Sequence, residues 1–297
     1  MFKLKKTAVP EWASVLGEKE YSLFMTAVEN YLKDKSEPYT IDDGMILMTD
    51  NGWQYGLSNL AQMCAQTRPE EYPALIAHHF GTFIELKAFE ESLDMDDFEK
   101  MRQYIGVRLY DREYVAYGGP TMVRRPFAGE VFSVLIYDFP LSIKNITLSD
   151  MEKWGISEDE LFAIGIENIR RNYQMDAQRV SVNGGDVFAV ETEHFFASNI
   201  LFDIEQHKEL VGKGGAIICM PTRSMAVIYP IDDVKVAAVL STLFGIAQEF
   251  YAKGPGSLTK EVFWYRDGQY EPLNYEMGKK IKFTPSEAFM SLLNSLS

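Results

Sequence analysis

The sequence predicts an α+β protein: a largely antiparallel sheet whose hairpins are interleaved with helices, joined to a smaller N-terminal α+β unit. Two observations carry this. Three short turn signals, Asn183-Gly184-Gly185-Asp186, Pro221 to Ser224 and Asp267-Gly268, each lie between apolar runs of strand character. Amphipathic stretches separate these hairpins, whereas a doubly wound parallel sheet needs single strands alternating with helices.

In the first part of the chain, Tyr21, Phe24, Met25, Val28, Tyr31 and Leu32 recur at helical spacing and predict a helix over 18–35. Met45 to Met48 and Trp53 to Tyr55 read as short strands, and Ser58 to Ala65 as a helix. From Pro69 to Glu91 the apolar stripe Tyr72, Leu75, Ile76, His79, Phe80, Phe83 and Ile84 predicts a long helix, with His79 as a core histidine. A shorter helix is expected over Asp94 to Tyr104. Residues 1–105 carry 10 basic and 18 acidic side chains and residues 106–297 carry 19 and 25, so a boundary is placed after residue 105. No Pro/Ser-rich linker separates the two parts, which predicts a closely packed pair.

The second part begins with Val131 to Tyr137, a nearly continuous β-branched and apolar run that predicts a buried central strand ending at Asp138 and Pro140. Two helices follow. Ser157-Glu158-Asp159-Glu160 announces the second as a capping box, in which Ser157 and Glu160 satisfy each other's backbone N–H, with Ile156 and Leu161 as its hydrophobic staple. Helices are expected over Phe195 to Val211, stopped by Gly212, and over Val234 to Ala252, stopped near Gly254. Thr284-Pro285-Ser286-Glu287 caps a last helix.

Composition narrows the class. With 46% hydrophobic and 24% charged residues the chain has enough apolar side chain for a core. Its 29 Lys plus Arg against 43 Asp plus Glu give a net charge of −14, which repels phosphate backbones and anionic lipid surfaces, so neither nucleic acid nor membrane is expected as a partner. Cys64 and Cys219 are too few and too far apart for a disulfide framework or a local metal motif and read as buried reduced thiols. No run of about 18 apolar residues occurs, and Pro10 and Glu11 interrupt the stretch after Lys3, Lys5 and Lys6, so no signal peptide and a cytoplasmic location are expected.

Candidate chemistry is sparse. Gly212-Lys213-Gly214-Gly215 follows a predicted helix and precedes a strand, the reverse of the order a phosphate cradle needs, and reads as a C-cap turn; Gly254-Pro255-Gly256-Ser257 fails in the same way. Asp203 and His207 would share one helical face near Glu191, Glu193 and His194, but thirteen helical residues turn His194 away from His207, so no metal or cofactor is expected. A restriction-type nuclease would need Asp138 followed by a strand bearing Glu-x-Lys, whereas Glu85-Leu86-Lys87 comes earlier and in a helical pattern. Two clusters remain as candidates. Glu85, Glu90, Glu91, Asp94, Asp96, Asp97 and Glu99 oppose only Lys87 and Lys100, a pattern that would steer a basic protein partner. Arg124, Arg125, Arg170, Arg171, Arg179 and Arg223 are the densest donors for an anionic ligand.

Val131-Phe-Ser-Val-Leu-Ile-Tyr-Asp138, Trp154-Gly-Ile-Ser-Glu-Asp-Glu-Leu161, Glu167-Asn168 and Gly215-Ala-Ile-Ile-Cys-Met-Pro-Thr-Arg223 together resemble the YtpQ-type family of uncharacterised bacterial cytosolic proteins, over about residues 125–230. The resemblance implies a bacterial intracellular protein and transfers no catalytic residue. The expected function is therefore a non-enzymatic interaction or regulatory protein, of inhibitor or immunity type, using the acidic surface. The alternative is an enzyme or small-anion receptor whose arginine-containing site is assembled from distant residues.

Overall fold

A computed structural model describes residues 9–34, 38–48, 54–140, 142–253 and 256–296, leaving aside the side chains of residues 48, 54, 55, 83, 84, 86 and 87. The chain forms two compact units, Met1–Leu93 and Asp94–Ser297. Their division precedes the boundary expected after residue 105. Residues 94–104 bond within the second unit: Trp154 Nε1 donates to the Met95 carbonyl (3.0 Å), Lys153 Nζ to Asp96 (2.8 Å) and Asn168 Nδ2 to the Arg102 carbonyl (2.8 Å).

In the first unit, helix α1 (Glu18–Asp34) is followed by the antiparallel strands β1 (Tyr39–Asp42), β2 (Met45–Met48) and β3 (Gln54–Gly56), then by α2 (Ser58–Ala65) and α3 (Tyr72–Ser92). Phe24, Val28 and Leu32 of α1 meet Leu60, Ala61 and Cys64 of α2 and Tyr72, Ile76 and Phe80 of α3, with Ile46 of β2 closing the core. Helical spacing thus placed the right faces together. His79 is only half-buried, and desolvation lowers its pKa. Lys35, Trp53, Gly254 and Pro255, on which expected elements or turns touched, lie outside the described residues, as do the side chains of Phe83 and Ile84.

The second unit opens with α4 (Phe98–Met101), a single turn capped by the Asp97 carboxylate and continued by a 3-10 turn; the longer helix expected there stops because the chain enters strand β4 (Ile105–Asp111). Helix α5 (Arg112–Gly118) leads to β5 (Arg124–Ala128), β6 (Val131–Phe139) and β7 (Ser142–Asn145). Strand β6 is the expected central strand, pairing antiparallel with β4, β5 and β7 and running on through Asp138. Helices α6 (Leu148–Trp154) and α7 (Glu158–Asn172) follow. The reciprocal capping box sits on α6, where the Thr147 hydroxyl accepts from the Asp150 N–H and Asp150 accepts from the Thr147 N–H. Ser157 caps α7 by accepting from the Glu160 N–H (3.3 Å), while Glu158 and Asp159 bind Arg125; among the described residues no bond returns from the Glu160 side chain to the Ser157 N–H.

The three expected hairpins are all present: β8 (Gln178–Val182) with β9 (Gly185–Glu191), β10 (Ala216–Thr222) with β11 (Met225–Pro230), and β12 (Val262–Arg266) with β13 (Gln269–Pro272). Together they form one six-stranded antiparallel sheet in the order β13-β12-β10-β11-β9-β8. Helix α8 (Val236–Lys253) precedes β12; a small hairpin of β14 (Asn274–Glu276) and β15 (Lys282–Thr284), and α9 (Glu287–Ser295) capped by Ser286, complete the chain. Every residue of β10 is buried, because the sheet is covered on both faces. Ile217 and Cys219 face Val239, Leu243 and Phe244 of α8; Ala216, Ile218 and Met220 face Ile200, Leu201 and Ile204 together with Leu109 and Val131 of the other sheet.

The segment expected as a helix over Phe195 to Val211 is instead a 3-10 stretch, Ala197–Gln206, broken at Asp203 (φ −122°, ψ 16°). Arg170 draws the Asp203 carboxylate into a two-pronged ion pair, so Asp203 and His207 do not share a helical face. The glycine turn at 212–215 is closed by paired backbone bonds between Gly212 and Gly215 and is not a helix cap.

Strand β4 is an edge strand of its sheet, yet two of its outward carbonyls are taken. Asn168 Nδ2 on α7 donates to Ile105 O (2.8 Å), and Asn199 Nδ2 donates to Val107 O (2.7 Å). Helix α7 lies close to the strand: a Cβ built on Gly165 would come within 2.8 Å of Val107 Cγ2 and 2.9 Å of the Gly106 carbonyl carbon.

Candidate functional site

The antiparallel register of β4 and β6 puts Gly106, Arg108 and Tyr110 on the same face as Phe132, Val134, Ile136 and Asp138. On that face Arg108 is 7% exposed. Its Nε donates to the Phe195 carbonyl (3.3 Å) and its Nη1 to the Tyr110 hydroxyl (3.4 Å), and its guanidinium lies 5.1 to 5.5 Å from the rings of Phe195, Tyr110 and Phe196. Tyr110 in turn stacks on Tyr114 of α5 at 3.8 Å.

Arg223 reaches the same rings from the β10–β11 turn, 5.1 Å from Tyr110 and 6.0 Å from Phe195. Its Nε is buried without an acceptor, and among the described residues its guanidinium meets no carboxylate. Desolvation, followed by the charge of Arg108, pushes the Arg223 pKa below its usual range. Gly256 lies against Arg223 and Phe195 with φ +83°; a Cβ there would lie 3.2 Å from Arg223 Nη2 and 3.3 Å from the Phe195 ring, so backbone and space both favour glycine.

The loop that carries Phe195 and Phe196 is held by His194. Its Nδ1 accepts from the Phe196 N–H (3.3 Å) and its Nε2 faces the Gln174 carbonyl (3.1 Å), which assigns the ring proton to Nε2. Tyr173 packs on His194 and donates its hydroxyl to Asp138 (3.0 Å). Burial raises the Asp138 pKa above the ordinary aspartate value, with the Tyr173 hydrogen bond and the charge of Arg108 opposing it. Asp138 and Asp111 are near enough to feel the guanidiniums, but neither forms an ion pair with them among the described residues. Burial pushes the Tyr110 hydroxyl up to about 12, so it stays a protonated donor and acceptor at neutral pH.

Of the six arginines singled out by sequence, only Arg223 belongs to this group. Arg125 is held by Glu158 and Asp159 over the Phe162 ring, Arg170 by Asp203 and Glu167, and Arg179 by Asp186. Arg124 donates to the Gly119 carbonyl (2.8 Å) and Arg171 to Asn168 (2.9 Å). Arg108 was missed because it lies inside an apolar strand run, where alternation alone gives no sign of a charged partner.

The acidic segment divides between the two units: Glu85, Glu90 and Glu91 belong to α3, whereas Asp94, Asp96, Asp97 and Glu99 open the second unit. Asp94 and Asp97 bind Lys100, Asp96 binds Lys153, and Asp97 also caps α4. Glu85 and Glu99 are exposed. No His/Cys/Asp/Glu group among the described residues could hold a metal ion, and no helix there is long and apolar enough to cross a membrane. No family model, curated protein or solved structure matches this chain.

Proposed function

We propose that the second unit binds a small anion between Arg108 and Arg223. The observation that carries this reading is a pair of guanidiniums that share two aromatic rings and meet no carboxylate among the described residues, in a chain whose acidic residues outnumber its basic ones 43 to 29. Burying a charge without a counter-ion costs several kcal/mol, and a bound anion offsets that cost. Thermal melts in graded anion concentrations test it. A bound anion at about 100 times its Kd adds roughly 2.7 kcal/mol to the stability of the unit that holds it. Arg223→Ala should remove that gain; an unchanged gain in the variant refutes the site.

A second reading keeps the α3 end of the acidic segment as a surface for a basic protein, favoured by the exposure of Glu85. It ranks behind because Asp94, Asp96 and Asp97 already neutralise Lys100 and Lys153. Binding to a purified basic protein such as lysozyme that weakens with salt, and is lost on replacing Glu85, Glu90 and Glu91 with Lys, would support it; binding indifferent to these changes would refute it. Membership of the YtpQ-type family and a cytoplasmic location stay proposals resting on the sequence alone.

A further inference from the structure

Building on the anion-binding reading, we infer that the ligand is a phosphate monoester, its phosphoryl dianion bridging Arg108 and Arg223. Donor inventory supports the dianion. A guanidinium carries five N–H groups in one plane, and here the aromatic rings lie against the guanidiniums, which leaves the N–H edges as the binding element. Two of the five on Arg108 are used, by the Phe195 carbonyl and the Tyr110 hydroxyl, and none on Arg223 is used by the described residues. A carboxylate offers two oxygens with about four lone-pair sites, whereas a phosphoryl group offers three strong acceptor oxygens and up to two negative charges. The second matches two forked cations both in acceptors and in charge.

An ester is favoured over free phosphate by what adjoins the pair. A cavity of about 280 Å³ shares Phe195 with it and is walled by Thr222, Ser224, Met225 and Phe250. This is close to the lower end of ordinary ligand cavities and suits a small organic group. Glu191 and Glu193 also line it with a single cation, Lys253, so the lining carries a net negative charge that disfavours a second anionic group there.

The test is calorimetric titration of the whole chain at pH 8 with inorganic phosphate, sulfate, phenyl phosphate, acetate and benzoate. Phosphate, sulfate and phenyl phosphate should bind, the two carboxylates about tenfold more weakly or less, and phenyl phosphate more tightly than inorganic phosphate. Arg223→Ala should weaken phenyl phosphate at least about tenfold, and Arg223→Lys, which keeps the charge without the fork, should recover part of it. Carboxylates that bind as tightly as phosphate, and are lost with Arg223→Ala, would overturn the dianion while leaving an anion site in place. Inorganic phosphate as tight as phenyl phosphate would overturn the ester. Binding of no anion, or binding unmoved in both Arg223 variants with unchanged melting profiles, would overturn this inference together with the site itself.

Discussion

Asn168 ties the strand that bears Arg108 to helix α7, and its removal should be among the costlier substitutions in the second unit. Its Nδ2 donates to two backbone carbonyls, Arg102 and Ile105, at 2.8 Å each, and the residue is 6% exposed. Asn168→Ala therefore deletes these two hydrogen bonds to main-chain carbonyls, besides the one its Oδ1 accepts from the exposed Arg171 guanidinium (2.9 Å), which water replaces at little cost, and leaves two carbonyls short of a donor, one of them fully buried. At about 1 kcal/mol for each bond, plus a desolvation cost of the same order for the buried acceptor, the loss is about 3 kcal/mol. With a urea dependence of about 2 kcal/mol/M, the midpoint of this unit should fall by about 1.5 M. The assay is urea unfolding followed by hydrogen exchange of the β4 amides, which separates this unit's transition from that of the other. Asn168→Asp keeps the volume but turns a carboxylate towards two carbonyl oxygens; it should be worse than alanine at pH 7 and recover in acid, where the protonated group donates again. A midpoint within about 0.25 M of the parent for Asn168→Ala would refute the reasoning, since it would mean water replaces the amide without cost.

Other outcomes follow from the caps and from Asp138. Thr147→Ala, which breaks a reciprocal capping box, should cost more than Ser157→Ala, which loses one bond worth about 1 kcal/mol; equal losses in thermal melts would count against the assignment. Asp138 has a folded-state pKa raised chiefly by burial, so the folded chain holds this proton more tightly than the unfolded one. Its contribution favours folding at the acid end and declines as pH rises from the ordinary aspartate value, about 3.9, through the raised one. Asp138→Asn should remove that decline, and parallel stability–pH profiles for parent and variant would show that the carboxyl is not desolvated.

Much of the fold is legible in the sequence for local reasons. Helices α1 and α2, the strand at β6 and all three hairpin turns follow from periodicity and turn chemistry, which act over a few residues. The failures have longer-range causes. The run from Phe195 has the apolar content of a helix, but the Arg170–Asp203 ion pair and the packing of Ile200, Leu201 and Ile204 on the sheet hold it in a kinked 3-10 form. The candidate site was half visible. Arg223 stood out beside a predicted hairpin, whereas Arg108 becomes its neighbour only when β4 and the β10–β11 turn converge on Tyr110 and Phe195. Sequence also ranked the acidic segment too simply by charge count, since Lys153 is far away in the chain but beside Asp96 in space.

The close approach of Gly165 to Gly106 bears on how this sequence can drift over evolutionary time. Hydrophobic neighbours such as Val107, Ile136 and Ile169 can exchange size with one another, as repacked cores do. A Cβ at position 165 would instead meet main-chain atoms of Gly106, and one at position 106 would meet Ile169 at 3.0 Å, so no partner substitution frees the first position. A saturation-mutagenesis scan would then show Gly165 to tolerate fewer substitutions than Gly106, whose nearest neighbours are side chains that can shorten.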